Sequence, residues 1–252
     1  SAETSCTDDQ IVGMLIGALF AGQHTSSITS TWTTLMILHH AEIKARIMEE
    51  LVRSTGTTDP SRSDVMTMNN IQAMDLMQNC VKESLRQYPP LIMLMRKAHV
   101  NVAVGEYVIP KDHYVFSCPP VTMNLKDGSP ENVFANPAKW DPDRFAKPRE
   151  EDKKKKFSFC AFGGGKHGCL GEQFGYIQVK AIVAIMLRRY ELELVGPMPK
   201  PNYEAMVVGP LQTNNSCVIK YRRRTSPLPA PAGFVEAPRV GAAAPAGAAA
   251  SS

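Results

Sequence analysis

No proline occurs before Pro60, no C-x-x-C pair occurs anywhere, and no unbroken apolar run is as long as a bilayer span. Without paired spacing, the six scattered cysteines (Cys6, Cys80, Cys118, Cys160, Cys169, Cys217) indicate neither a zinc module nor a disulfide framework, and a reducing compartment suits them. The longest apolar run, 11–22, is too short to cross a membrane and gives way to Gln23-His24. No initiator Met, signal peptide or charged leader opens the chain, so residue 1 reads as the middle of something longer. Charge of one sign is also scarce: 28 basic against 24 acidic residues leave a net +4, gathered in the lysine run 153–156 and in Arg222, Arg223 and Arg224. That surplus is local and does not imply nucleic-acid binding. What is present, 252 residues with 44% hydrophobic and 21% charged, suffices for one large domain with its own core.

Thr7-Asp8-Asp9-Gln10 reads as a capping box, so a long helix starts near Asp8. Its interior stretch Ala21-Gly22-Gln23-His24-Thr25-Ser26-Ser27 puts Gly and hydroxyls where good helix formers belong and marks a candidate functional distortion. A second amphipathic helix runs from Ala41 to Gly56, and a third, carrying Ile71, Met74, Met77, Val81, Leu85 and Tyr88, is stopped by Pro89-Pro90. Residues 95–118 predict two or three short strands, 170–189 a long helix, and 191–195, 205–208 and 217–221 further strands. The fold class is mainly α with a minor β-sheet. Residues 1–224 form the folded body, and 225–252, rich in Pro, Ala, Gly and Ser, predict a disordered tail.

The loop Phe159-Cys160-Ala161-Phe162-Gly163-Gly164-Gly165-Lys166-His167-Gly168-Cys169-Leu170-Gly171 admits three readings. A Walker-type phosphate loop fails, because Gly165-Lys166 is followed by His167 and the first required Gly falls on Cys160. A dinucleotide fingerprint is present as Gly163, Gly165 and Gly168, with Glu191 and Glu193 downstream, but it needs a buried strand before it, and 153–159 opens with four lysines. The third reading starts from Cys169, at a glycine loop entering a helix, where backbone N–H groups favour a thiolate; such a thiolate can ligate iron, the alternative being a buried structural thiol. Glycines at 163, 164, 165 and 168 would let the loop pass flat beneath a macrocycle.

These residues carry a resemblance. Phe162-x-x-Gly165-x-x-x-Cys169-x-Gly171 resembles the haem-binding signature of the cytochrome P-450 superfamily. Ala21-Gly22-Gln23-His24-Thr25, Glu83-Ser84-Leu85-Arg86 and Asp141-Pro142-Asp143-Arg144-Phe145 follow in the superfamily's order, and the chain is similar to its C-terminal half, from the long central helix onward. His24 replaces the acid that most members carry, and with Pro89-Pro90-Leu91-Ile92-Met93-Leu94-Met95-Arg96 it narrows the resemblance to the sterol 14α-demethylase family.

The resemblance implies a haem-thiolate monooxygenase binding haem b and O2, fed with electrons from NADPH by a reductase and acting on a sterol, at the endoplasmic reticulum membrane; the alternative is another hydroxylase of the superfamily acting on a small lipophilic substrate. Membrane contact is expected only through an N-terminal half that this chain does not contain. Cys169 would ligate the iron, with Phe162, Gly163 and Gly165 shaping the loop and Arg96 and His167 holding propionates. Gly22, His24 and Thr25 would handle oxygen and protons; Ala21, Leu91, Met93, Met95, Met206 and Val207 would wall the sterol pocket; Glu83, Arg86 and Arg144 would form a buried structural triad. The lysine run 153–156 would lie where an electron donor approaches.

Overall fold

Helix α1 (Asp8–His39) opens on the capping box: the Gln10 N–H donates to the Thr7 hydroxyl at 3.3 Å, and the Thr7 N–H donates to the Gln10 side chain at 3.0 Å. In the computed structural model, which describes residues 6–205, 207–211 and 217–236, α1 runs unbroken through the stretch where a distortion was expected. The hydroxyls there stay inside the helix. Thr25, Ser26, Thr29, Ser30, Thr31 and Thr34 each donate to the carbonyl four residues earlier at 2.5–2.9 Å, so a polar stretch needs no outside partner.

The two halves of α1 differ. Trp32, Leu35 and Ile37 are 0–1% exposed, whereas Ile11, Val12, Met14, Leu15, Ile16, Leu19 and Phe20 are 43–74% exposed. By length and composition α1 could cross a membrane, which the run 11–22 alone did not suggest, but from Thr29 to Ile37 it lies in the protein core.

Helix α2 (Ala41–Thr55) ends at Gly56, whose φ of 68° is the left-handed cap. The third expected helix is two: α3 (Met68–Gln72) and α4 (Asp75–Gln87). The break has a physical cause in Glu50 of α2, whose carboxylate accepts from the Leu76 and Met77 N–H groups at 2.6 and 2.9 Å and so starts a new helix there. Burial pushes the Glu50 carboxyl up from its ordinary range, against the pull of those two bonds. Helix α4 stops before Pro89-Pro90, and Tyr88 beside them stacks on Trp32 with ring centroids 3.9 Å apart. Helix α6 (Glu172–Arg189) packs against α1 and α4, and Leu51, Met77, Val81, Val183 and Leu187 fill the space between the helices.

The strands form three separate antiparallel pairs: β1 (Leu94–Lys97) with β4 (Tyr114–Ser117), β2 (Val102–Val104) with β3 (Tyr107–Ile109), and β5 (Tyr190–Val195) with β6 (Val218–Arg223). A short helix, α5 (Pro119–Met123), follows β4. The strand expected at 205–208 is not formed by the described residues there. Pro201 and Pro210 make a single bridge, and the Val208 N–H donates to the Pro90 carbonyl at 2.9 Å. Residues 153–159 are turns and a short 3-10 segment, so no strand precedes Gly163 and the dinucleotide reading loses its structural context.

The tail also departs from expectation. Leu228 is 2% exposed and belongs to the main core, its N–H donates to the Thr58 carbonyl at 2.8 Å, and Phe234 packs against the same core. The folded body therefore extends at least to Glu236. Average composition hid two apolar anchors among prolines that have little chain entropy left to lose. Residues 237–252 lie outside the described residues.

Candidate functional site

The cysteine loop is shaped by its own backbone bonds: Gly163 N–H to Cys160 carbonyl at 2.9 Å, Gly168 N–H to Gly165 carbonyl at 3.2 Å, and Cys169 N–H to Phe162 carbonyl at 2.9 Å. Gly163 and Gly165 sit at φ of 71° and 64°, where a side chain would strain the backbone. A Cβ on Gly164 would lie 2.6 Å from the Phe157 ring. Three glycines read as clearance for a macrocycle thus have a nearer cause, two in backbone conformation and one in an aromatic ring laid over them.

Cys169 stands two residues before Gly171, the N-cap of α6, rather than at the helix start itself. It is exposed and in no disulfide. Phe162 is pinned against the buried Tyr176 of α6, ring centroids 5.0 Å apart, and beyond the cysteine Leu170 is fully exposed and Phe174 largely so.

The loop adjoins β1, since a Cβ on Gly163 would lie 3.7 Å from Leu94 Cδ1. Two residues on, Arg96 is exposed and its guanidinium donates to the Met95 carbonyl at 2.7 Å; His167 is exposed on the Gly165–His167 turn. Leu91, Met93 and Met95 are 42–55% exposed. The half-buried Val207 precedes Val208 on Pro90, and a Cβ on Gly209 would meet Ile28 of α1 at 3.5 Å, so this turn links α1 to the Pro89-Pro90 segment. Met206 lies outside the described residues. On α1, Ala21 and His24 are exposed, Gly22 and Thr25 partly so, and the Thr25 hydroxyl is engaged with the Ala21 carbonyl at 2.9 Å. Among the described residues no hydrogen bond joins His24 or Thr25 to the cysteine loop. An accessible thiol before a helix N-terminus, a guanidinium, an imidazole and uncovered apolar side chains on β1 and α6 suit an apolar macrocycle with an iron centre and two carboxylates.

Glu83, Arg86 and Arg144 do meet, all three at 0% exposure. Glu83 accepts from Arg86 at 2.7 and 2.9 Å, from Arg144 Nε at 3.0 Å and from the Asp141 N–H at 2.9 Å. Arg86 spends its other donors on Met123 O, Asn124 Oδ1 and Pro137 O, and Arg144 on Ala135 O, Lys139 O and Glu151 Oε2. These two guanidiniums thereby fasten α4 to the long loop before the cysteine. Sequence reasoning missed Glu151, the fourth charge; its only signal was another acid shortly after Arg144.

Arg149 completes the network by pairing with both Asp141 and Glu151 at 2.8 Å, and Arg46 of α2 grips Asp143 with two bonds of 2.7 and 2.8 Å. Burial works to raise the Glu151 carboxyl, but the bonds from Arg149 and Arg144 overcome it, and Arg46 holds Asp143 below its usual range. A depressed carboxyl adds stability that is complete above the unfolded value of about 4 and is lost as pH falls through that value toward the folded one. Urea midpoints should therefore drop on acidification, and Glu151→Gln should flatten that profile. Parallel profiles for variant and parent would refute the assignment.

In the lysine run, Lys153 pairs with Glu150, Lys155 with Glu131, and Lys156 lies over the Phe157 ring at 5.1 Å, so its net field is smaller than the sequence suggests.

The family model for Cytochrome P450 matches residues 1–218. The chain is 43% identical over 224 residues to an obtusifoliol 14-alpha demethylase of Triticum aestivum, aligning 86% of itself with 47% of that protein. It is 43% identical over 227 residues to a sterol 14-demethylase of Arabidopsis thaliana (86% and 43%) and 37% identical over 220 residues to the lanosterol 14-alpha demethylase of Homo sapiens (87% and 40%). The chain thus spans less than half the length of these curated relatives. With the family's region running from α1 into β6 and containing both the cysteine loop and the buried arginine network, the chain belongs to the cytochrome P450 family.

Proposed function

We propose that this chain carries the haem-thiolate half of a sterol 14α-demethylase, which removes the 14α-methyl of a sterol as formate in three successive oxygenations. The carrying observation is Cys169, exposed between a loop of left-handed glycines and the N-cap of α6. Haem, when bound, supplies activation of O2. Cys169 would hold the iron, while Arg96 and His167 would hold the propionates. Phe162, Gly163 and Gly165 keep the loop in shape. Ala21, Leu91, Met93, Met95, Met206 and Val207 would present pliable apolar surface to a rigid tetracycle. Gly22 leaves room at the centre of α1, where Thr25 would turn its hydroxyl from the Ala21 carbonyl toward the oxygen site. His24, exposed one residue before Thr25 on α1, would relay protons. Electrons would come from an NADPH-dependent reductase through the face bearing the lysine run, with the whole protein on the endoplasmic reticulum membrane.

The reading is tested on the haem-loaded whole protein. His24→Ala should leave the sterol-induced spectral change intact and lower formate release by about 10²-fold, the low end of a positioned proton-transfer group's contribution. Unchanged turnover would make His24 a packing residue, and lost sterol affinity would make it a substrate contact.

A further inference from the structure

Residues 225–236 lie beyond the family-matched region, yet they are ordered on the body of the protein. Their burial has a pattern. Leu228 and Pro231 are buried and Phe234 half-buried, while Pro227, Pro229, Ala230, Ala232, Gly233, Val235 and Glu236 are exposed. Spacing of three is the period of a polyproline II segment, which shows one residue in three to a surface, and prolines at 227, 229 and 231 favour that backbone. Gly233, at φ of 72°, then permits a turn closed by the Phe234 N–H donating to the Pro231 carbonyl at 3.1 Å, which brings Phe234 back to the core.

The receiving surface is built and rigid. Arg188 at the end of α6 is 1% exposed and donates to Thr55 Oγ1 at 2.9 Å and to the Asp59 carbonyl at 2.7 Å, fixing the 57–59 loop after α2. That loop presents its Thr58 carbonyl to the Leu228 N–H at 2.8 Å, and the fully buried Thr57 donates its hydroxyl to Glu236. A fixed backbone acceptor, a side-chain donor and an apolar seat for leucine are what a stiff extended peptide needs for recognition.

We propose that the shoulder formed by the 57–59 loop and the C-terminal end of α6 is a binding site for a proline-rich extended peptide with a leucine anchor, filled in this chain by its own residues 227–236. The site is separable from its occupant. Its ligand class is therefore a Leu-Pro-x-Pro segment, supplied in cis here.

The test uses the full chain. Leu228→Asp should release the segment, seen as at least ~100-fold loss of amide protection at residue 228 with protection of α6 retained. The released protein should then bind a synthetic peptide of residues 225–236 with micromolar to sub-millimolar affinity. The same peptide carrying Leu228→Asp should not bind, and the parent chain, its site filled, should take up neither. If the variant fails to fold, a protease site placed between Arg224 and Thr225 is cut after folding, and exchange of the freed segment for labelled peptide is measured. Retained protection in the variant, equal binding to parent and variant, or failure of the cut protein to exchange would each overturn the proposal.

Discussion

Cys169→Ala should abolish the thiolate-type spectrum of the reduced carbonyl complex in the haem-loaded protein while leaving the fold and melting temperature of the haem-free chain nearly unchanged. The reason for the second half is structural. Cys169 is exposed and contributes nothing to the core, and substitutions at such positions usually stay within about 0.5 kcal/mol. Cys80 supplies the contrast. It is 0% exposed among the core side chains, and burial together with nearby Glu50 holds its thiol well above the usual range. Cys80→Ala should lower the melting temperature and spare the spectrum. Thermal circular dichroism and carbonyl difference spectra on both variants separate the two roles, and a thiolate spectrum surviving in Cys169→Ala would end the haem-thiolate reading.

Glu83→Ala should be the most damaging substitution to the fold. It removes the carboxylate shared by two guanidiniums at 0% exposure and also strips the Asp141 N–H of its acceptor. Arg144 keeps Glu151, but Arg86 is left with Met123 O, Asn124 Oδ1 and Pro137 O, all neutral. Removing one partner of a buried pair costs about 3–5 kcal/mol, a large part of the ~5–15 kcal/mol by which a domain is stable. Glu83→Gln keeps the shape and loses the charge, so it isolates the electrostatic share. Urea unfolding measures both, and a loss below about 1 kcal/mol for Glu83→Ala would show that the network is dispensable.

What could be foreseen from sequence was local. Thr7 and Gln10 make their capping box within four residues, and Pro89-Pro90 stops α4 through its own stereochemistry. Cys169 was singled out by the glycines beside it, and Glu83, Arg86 and Arg144 by the family's motifs. What escaped depended on partners distant in the chain. The break between α3 and α4 is set by Glu50, some 26 residues away along the chain. Glu151 lies 68 residues from Glu83, whose network it completes, and no periodicity announces it. The order in 225–236 escaped because composition averages over anchors, and Leu228 counts for more than the alanines around it.

Helix α1 has two environments along one axis. From Thr29 to Ile37 it is gripped by the core, whereas from Asp8 to Ile28, about 30 Å at 1.5 Å per residue, its side chains are exposed or only partly buried. Gly22, His24 and Thr25 stand only about 6–10 Å from the gripped segment, and Ile11 and Leu15 lie near the opposite end. The residues that would need the closest placement therefore adjoin the packed part of the helix, where one rigid hydrogen-bonded rod ties their positions to the core.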